Sequence, residues 1–176
     1  MLIILILVSC KERKTVYEAY QDIKKIDPSP ALNIDVLGKQ WDWIFTYPNG
    51  QEISCHESKD KYASWKQKEF DSNISGDSAR FVTIPIDTLI NFNISSETVL
   101  HSLAIPAFRV KEDAPVGKKV TMQFTATKVG TYMYTCNEMC GKDHGYMVGY
   151  LRVVSKEEYE SFLSELNKKN TEQNGE

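Results

Sequence analysis

Alternation of apolar and polar residues dominates the middle of the chain and predicts β-strands. Apolar residues recur at every second position, with asparagine, threonine or glutamine between them, in segments that begin near residues 32, 90 and 120. A period of two places successive side chains on opposite faces of a strand, so each segment would bury one face. Turn signals rich in proline and glycine separate the segments. Short strands at this spacing favour an all-β sandwich or barrel.

Two further segments complete the predicted architecture. Residues 40–47 form an aromatic run that we expect to be a strand, and the last strand is expected near residues 148–154. Ser155 followed three residues later by Glu158 is a capping box, which predicts the start of a helix. Apolar residues then recur at helical spacing, which predicts a C-terminal helix packed on the sandwich: Tyr159, Phe162, Leu163 and Leu166.

The N-terminal residues predict export and lipid attachment. A short apolar run opens the chain, too short for the roughly 20 residues that cross a bilayer but typical of the hydrophobic part of a signal segment. Leu7-Val8-Ser9-Cys10 resembles the bacterial lipobox, in which cleavage leaves the cysteine as a lipidated N-terminus. No basic residue precedes the run, so a truncated membrane anchor is the alternative. We expect a signal segment over 1–9, lipidation of Cys10 and a tether over 10–30.

Length and charge limit the classes of function. The 176 residues are enough for one domain with a real hydrophobic core. We place that domain at 31–155, the helix at 156–170 and a flexible tail at 171–176. The net charge of −3 is spread along the chain without a basic stripe, which excludes a nucleic-acid-binding function. A mildly acidic surface suits a basic protein partner.

Donors for a soft metal are concentrated in residues 136–147. Two thiols lie four positions apart, an imidazole follows after four more, and a thioether after three more: Cys136, Cys140, His144 and Met147. A second imidazole, His101, lies upstream in a strand-like run. Thiolate, thioether and imidazole together favour copper or zinc over hard cations, because polarizable sulfur binds polarizable metals best.

The residues alone are compatible with several metal sites, and with no metal at all. A mononuclear blue-copper site uses two histidines, one cysteine and an axial methionine, which leaves one thiol unused. Tetrahedral zinc uses two cysteines and two histidines, which leaves Met147 unused. Two thiolates that bridge two copper ions use every donor. The plain alternatives are a Cys136–Cys140 disulfide, His101 as a core histidine and Met147 as core packing.

The full motif resembles a known family. Cys-x-Glu-x-Cys-x-x-x-His-x-x-Met, preceded by Val-Leu-His-Ser, resembles the binuclear copper-A domain of subunit II of haem–copper cytochrome c oxidases. The resemblance spans roughly residues 31–165 and implies a cupredoxin Greek-key β-sandwich. Further stretches carry it: Gly38-x-Gln40-Trp41-x-Trp43, the residues after His101 (Ile105, Pro106, Arg109, Lys111 and Asp113), and Gly130-Thr131-Tyr132.

The resemblance implies a role for each donor. Cys136 and Cys140 would be bridging thiolates, and His101 and His144 would each bind one copper. Met147 would be a weak ligand of one copper, and the backbone carbonyl of Glu138 a weak ligand of the other.

It also implies partners. The Glu138 carboxylate would face a magnesium ion shared with subunit I. Electrons would enter from cytochrome c at Trp41 and leave to haem in subunit I, where oxygen reduction occurs. Arg109, Lys111 and Asp113 would face that subunit. The location implied is the outward, periplasmic face of a bacterial membrane, with the lipid anchor in place of the transmembrane helices of ordinary subunits.

Some residues depart from the family pattern. Asp42 stands where the family usually has an aromatic residue, and Thr98 stands where many members carry an aspartate. Trp41 and Trp43 are two positions apart, so we expect them to share one face of a strand. Cys55 and His56 lie outside the motif, in a polar stretch over 55–79 that we expect to be a surface excursion, and Cys55 is interpreted as a partly buried or free thiol.

Two other functions remain as alternatives. The chain could be a freestanding periplasmic copper-A electron carrier, or a non-catalytic module that binds copper or zinc. Nitrous-oxide reductase has a related copper domain, but its catalytic domain does not fit in this length and its pattern has an aromatic residue at the position of Glu138. We therefore reject that enzyme.

Overall fold

Ten strands, one α-helix and two short 3-10 helices lie in the part of the chain that the computed structural model describes, residues 30–54 and 81–173. The elements are β1 (Leu32–Lys39), β2 (Asp42–Thr46), β3 (Glu52–Ser54), β4 (Phe81–Pro85), β5 (Leu89–Ser96), β6 (His101–Ile105), β7 (Val110–Ala114), β8 (Val120–Thr125), β9 (Gly130–Cys136), β10 (Val148–Val154) and α1 (Lys156–Gln173). The predicted signal segment, Cys10, the tether, Cys55-His56 and the polar excursion lie outside the described residues.

The strands form two five-stranded sheets packed face to face. One sheet has the order β3-β2-β1-β5-β8, and the other has the order β4-β10-β9-β6-β7. Each sheet contains one parallel pair, β1 with β5 and β4 with β10, among antiparallel neighbours. The predicted all-β Greek-key sandwich with a C-terminal helix is confirmed.

Strand β5 shows why the alternation produces a sandwich. Ile90, Phe92 and Ile94 point inward and are at most 1% exposed. Asn91 and Asn93 point outward and hydrogen-bond to side chains of the strands on either side. A shift of one residue in register would exchange these two sets, so the buried face fixes the register.

The C-terminal helix begins where the capping box predicts. The Ser155 Oγ accepts a hydrogen bond from the backbone N–H of Glu158 at 3.1 Å. Tyr159, Phe162 and Leu166 are at most 9% exposed, so the predicted apolar stripe does pack on the sandwich. Among residues 30–54 and 81–173, no helix combines the length and hydropathy that a bilayer crossing requires.

The aromatic segment differs from the prediction. Strand β2 begins at Asp42, so Trp41 lies in the turn before it and does not share a strand face with Trp43. Trp43 is 1% exposed in the core, whereas Trp41 is half-buried at the end of the sandwich. The physical reason is that the Gln40 and Trp41 side chains hydrogen-bond to the carbonyl of Cys140, which holds Trp41 at the edge of the core. Strand β1 runs through Gly38 and ends at Lys39.

Candidate metal centre

Paired strands and one loop bring the predicted donors to the same end of the sandwich. His101 is the first residue of β6, and Cys136 is the last residue of β9. These strands pair with Leu103 opposite Cys136, so the imidazole and the thiol lie on adjacent strands. The remaining donors lie on the loop from β9 to β10: Glu138, Cys140, His144 and Met147.

The two thiols are neighbours in the core. Cys136 and Cys140 are 7% and 3% exposed, and both are free. Their Sγ atoms are 3.8 Å apart, whereas a disulfide bond is about 2.05 Å long. The described geometry is therefore that of two adjacent thiols rather than a disulfide.

One imidazole nitrogen lies beside each sulfur. The Nδ1 atom of His101 is 3.7 Å from the Cys136 Sγ, and the Nδ1 atom of His144 is 3.4 Å from the Cys140 Sγ. His101 is fully buried, and its Nε2 has no hydrogen-bond partner within residues 30–54 and 81–173. The Thr98 hydroxyl donates a hydrogen bond to the Gln40 Oε1 at 3.4 Å.

Two weaker donors complete the group. The Met147 Sδ lies 3.9 Å from the Cys140 Sγ, and Met147 is 1% exposed. The backbone carbonyl oxygen of Glu138 accepts a hydrogen bond from the Cys136 Sγ at 3.3 Å. The other four predicted donors therefore lie around the pair of thiol sulfur atoms.

The electrostatics of the site suit a soft cation. Burial, followed by the charge and hydrogen bond of Cys136, raises the pKa of the Cys140 thiol to about 12. Two thiolates this close therefore need a positive charge between them. Burial lowers the pKa of His101, and the charge of His144 lowers it further. The imidazole is consequently neutral, with a lone pair available to a metal.

The donor set fits copper better than hard cations. The donor atoms of His101, Cys136 and Cys140 lie within 4.8 Å of one another, an arrangement that could hold a metal ion. Sulfur and imidazole nitrogen predominate, and these are the ligands of copper and zinc. A closed zinc tetrahedron would leave the buried thioether of Met147 without a function.

Two side chains from the turn between β1 and β2 hold the loop in place. The Gln40 Nε2 donates a hydrogen bond to the Cys140 carbonyl at 2.8 Å, and the Trp41 Nε1 donates to the same oxygen at 3.3 Å. Gly141 has φ +121°, and a Cβ there would lie 3.2 Å from both side chains. Glycine therefore permits the loop to approach the turn this closely.

Sequence reasoning missed three contributors to the site. The sequence identified Gly38 and Gln40 only as members of a motif, without a contact to the metal site. It predicted Trp43 only as a residue on one face of a strand. In the structure Trp43 packs edge-on against the His101 ring, with centroids 5.7 Å apart. The only available signal was the Gly-x-Gln-Trp-x-Trp pattern, which gives no information about which loop these residues contact.

Charged residues predicted to face a partner lie on and before β7. Lys111 and Asp113 form an exposed ion pair at 2.9 Å, which lowers the pKa of Asp113 and raises that of Lys111. Arg109 is exposed and has φ 56°, a left-handed conformation that is uncommon for a residue with a side chain. Glu138 is half-buried, and its charge also acts on Lys111.

Comparison with known proteins identifies one family. Residues 32–154 match the family model described as cytochrome c oxidase subunit II, periplasmic domain. The chain is 37% identical over 134 residues to cytochrome c oxidase subunit 2 of Thermostichus vulcanus, a match that covers 76% of this chain and 33% of the relative. It is 29% identical over 153 residues to the subunit 2 of Cereibacter sphaeroides, covering 78% of this chain and 50% of the relative. The chain thus spans half or less of the length of these two relatives.

A solved structure shares the fold. The periplasmic domain of subunit II of cytochrome oxidase (CoxB) of Bradyrhizobium japonicum superposes with a TM-score of 0.67 and is 31% identical in sequence. The match covers 81% of this chain and 97% of that domain. The sandwich and its loops therefore follow the architecture of that periplasmic domain.

Proposed function

Because the chain belongs to the family of the periplasmic domain of cytochrome c oxidase subunit II, we propose that it is the electron-transfer subunit of a haem–copper oxidase. It accepts electrons from cytochrome c at a binuclear copper-A centre and passes them to haem in subunit I. The observation that carries this proposal is the group of six donors around two sulfur atoms 3.8 Å apart. Oxygen reduction belongs to the partner subunit and not to this chain.

The proposed ligands are the six donors described above. Cys136 and Cys140 would hold the two coppers as shared thiolate ligands, His101 and His144 would be the strong ligands of one copper each, and Met147 and the Glu138 carbonyl would be weak ligands. When bound, the copper pair would supply a one-electron carrier that gains or loses an electron with little change in bond lengths. A mononuclear site would leave at least one of these buried donors without a function.

The chain contributes rigidity and exclusion of water. His101 and Cys136 lie on paired strands, so their separation is fixed by the sheet. Met147 is 1% exposed and closes the inner side of the site. Donors held in this way move little between oxidation states, and the low polarity around them influences the reduction potential.

Trp41 is the proposed site of electron entry. Its ring is half-buried, and its indole N–H donates to the carbonyl of Cys140 at 3.3 Å. This hydrogen bond connects an aromatic ring near the surface directly to the backbone of a proposed copper ligand. Met139, which precedes Cys140 in the sequence, is 74% exposed, so the donor loop presents an apolar side chain at the surface.

The assembly follows from the same proposal. Subunit I lies against the side that presents Glu138, Lys111 and Asp113, with a magnesium ion shared through the Glu138 carboxylate. The chain works at the outward, periplasmic face of a bacterial membrane. Lipidation of Cys10, outside the described residues, holds it there.

Copper loading tests the centre. Purified protein reconstituted with copper should bind two ions per chain, turn purple, and show an electron paramagnetic resonance spectrum with coupling to two copper nuclei. One copper per chain, or a colourless zinc protein as isolated from cells, would contradict the binuclear centre.

Co-purification tests the assembly. Affinity purification of the full chain from detergent-solubilised membranes should bring an oxidase subunit I with it. A chain that loads two coppers but purifies without any oxidase subunit is a freestanding carrier instead.

A further inference from the structure

The imidazole of His101 lies directly on the backbone of β1, at Gly38. A Cβ atom on Gly38 would lie 2.9 Å from the His101 Cδ2 and 3.1 Å from the Trp43 Cζ3, and real Cβ atoms essentially never approach closer than 3.0 Å. Gly38 is not among the glycines with positive φ, so the backbone conformation does not itself require glycine. What requires glycine is the ring above it.

The strand side of this contact is the more firmly held. In the sheet, Gly38 is paired with Trp43 on one side and with Ser96 on the other. Its carbonyl accepts a hydrogen bond from the Glu97 N–H at 3.0 Å. His101 is 0% exposed, with the edge of Trp43 against it. An added methyl group would therefore displace the imidazole rather than the strand.

The direction of that displacement matters for the site. Within the imidazole ring, Cδ2 and Nδ1 lie on opposite sides, and the Nδ1 of His101 faces the Cys136 Sγ at 3.7 Å. We propose that Gly38 is a positioning residue, whose missing side chain sets how far the His101 Nδ1 lies from the sulfur pair. The proposal deepens the proposed function, because it rests on His101 as a ligand of the centre.

A double-mutant cycle on the metal-free full chain tests the contact. Gly38→Ala should lower the melting temperature by about 5 °C in the otherwise unmodified protein. In a His101→Ala background the ring is absent and Trp43 gains room to move, so the same change should cost much less. An equal cost in both backgrounds would show a general strand effect and overturn the proposal.

The cycle also covers a failure to fold. If Gly38→Ala alone does not fold, the double variant with His101→Ala should fold again. A double variant that stays unfolded while His101→Ala alone folds would equally overturn the proposal. Gly145→Ala is the matched control, since a Cβ there meets nothing within 4 Å and should leave the melting temperature unchanged.

Copper spectroscopy tests the positioning role. Gly38→Ala should shift the visible absorption bands and the reduction potential or reduce the copper content below two per chain, while Glu160→Ala, at an exposed position of α1, should match the unmodified protein. Bands and potential identical to those of the unmodified protein would refute positioning. Failure of the unmodified protein to bind two coppers would refute the proposed function instead. The metal-free double-mutant cycle would still decide whether Gly38 sets the position of the His101 ring.

Discussion

The two ends of β10 are built from different chemistry. Before it, the loop that ends at Met147 gathers sulfur and imidazole groups around two buried thiols. After it, Ser155 starts a helix whose aromatic and aliphatic side chains cover the sandwich, with the rings of Phe162 and Tyr47 5.8 Å apart. At the helix end of β10, buried apolar side chains stabilise the fold. At the loop end, the buried side chains are mainly potential metal ligands, held in a fixed arrangement. Metal binding and stability should therefore respond to different substitutions.

The largest expected effect is at the loop end, on metal binding. Cys136→Ser replaces a bridging sulfur with a harder and weaker donor, so the binuclear copper spectrum should be lost and the copper content should fall below two per chain. The sandwich should remain folded, because serine is nearly the same size as cysteine and fills the same buried position. Visible spectra and circular dichroism measure the two results.

Cys55→Ser is the matched control, since it makes the same change outside the donor motif and should leave copper binding intact. A Cys136→Ser variant that keeps the purple spectrum would contradict the bridging role.

A substitution at the helix end should have the opposite pattern, with a large effect on stability and none on copper binding. Phe162→Ala removes a buried ring from between α1 and the sandwich and should lower the free energy of unfolding by about 3 kcal/mol. The copper spectrum should not change, because the ring lies beyond the opposite end of β10. Urea unfolding and visible spectra measure both, with the exposed Glu160→Ala as control. A shifted copper spectrum would show that the two ends are coupled.

A smaller effect on both quantities is expected at Gln40, whose amide fixes the loop. Gln40→Ala removes the 2.8 Å hydrogen bond to the Cys140 carbonyl and should cost about 1 kcal/mol of unfolding free energy. It should also lower the reduction potential, because a hydrogen bond that withdraws electron density near a ligand favours the reduced state. Denaturant unfolding and redox titration measure these. Gln123→Ala, an amide on the outer face of the sheet, should leave the potential unchanged.

The smallest effect is expected on the outer face of the sheet, far from either end. Lys119 lies 2.8 Å from Asp35 and lowers the pKa of that carboxyl, but both side chains are about half exposed. Since the folded-state pKa is depressed, the stabilisation is present above the unfolded pKa of about 3.9 and is lost as the pH falls through the folded value. Asp35→Asn should therefore cost less than about 0.5 kcal/mol at pH 7, and nothing at pH 2.

Unfolding by denaturant at the two pH values measures this difference. A cost of Asp35→Asn that persists unchanged at pH 2 would show that the ion pair is not its source.

Much of the fold follows from local patterns in the sequence. The alternation in β5 predicted which residues are buried, because a strand repeats every two residues. The capping box at Ser155 predicted the start of α1, because its hydroxyl satisfies a backbone donor of the first turn. The donor spacing from Cys136 to Met147 predicted which side chains would meet, since they share one loop.

Contacts between distant segments were beyond these patterns. Nothing local distinguishes Trp41 from Trp43, and only the hydrogen bonds to Cys140 place the first in a turn. The close contact between Gly38 and the His101 ring joins residues on different sheets. The parallel pairing of β1 with β5 likewise has no counterpart in the periodicity of either strand.

That parallel pairing has a kinetic consequence. Asn33 and Asn91, which hydrogen-bond across the two strands, are 58 positions apart, so a large loop must close before β1 is held in its sheet. Domains dominated by pairings between distant residues fold slowly, on a scale of milliseconds to seconds. Strand β1 and the turn after it hold both the His101 imidazole and the loop that carries Cys140 in place. We therefore expect the proposed metal ligands to reach their final arrangement late in folding. Stopped-flow refolding should accordingly show cobalt or copper uptake lagging behind the tryptophan fluorescence change.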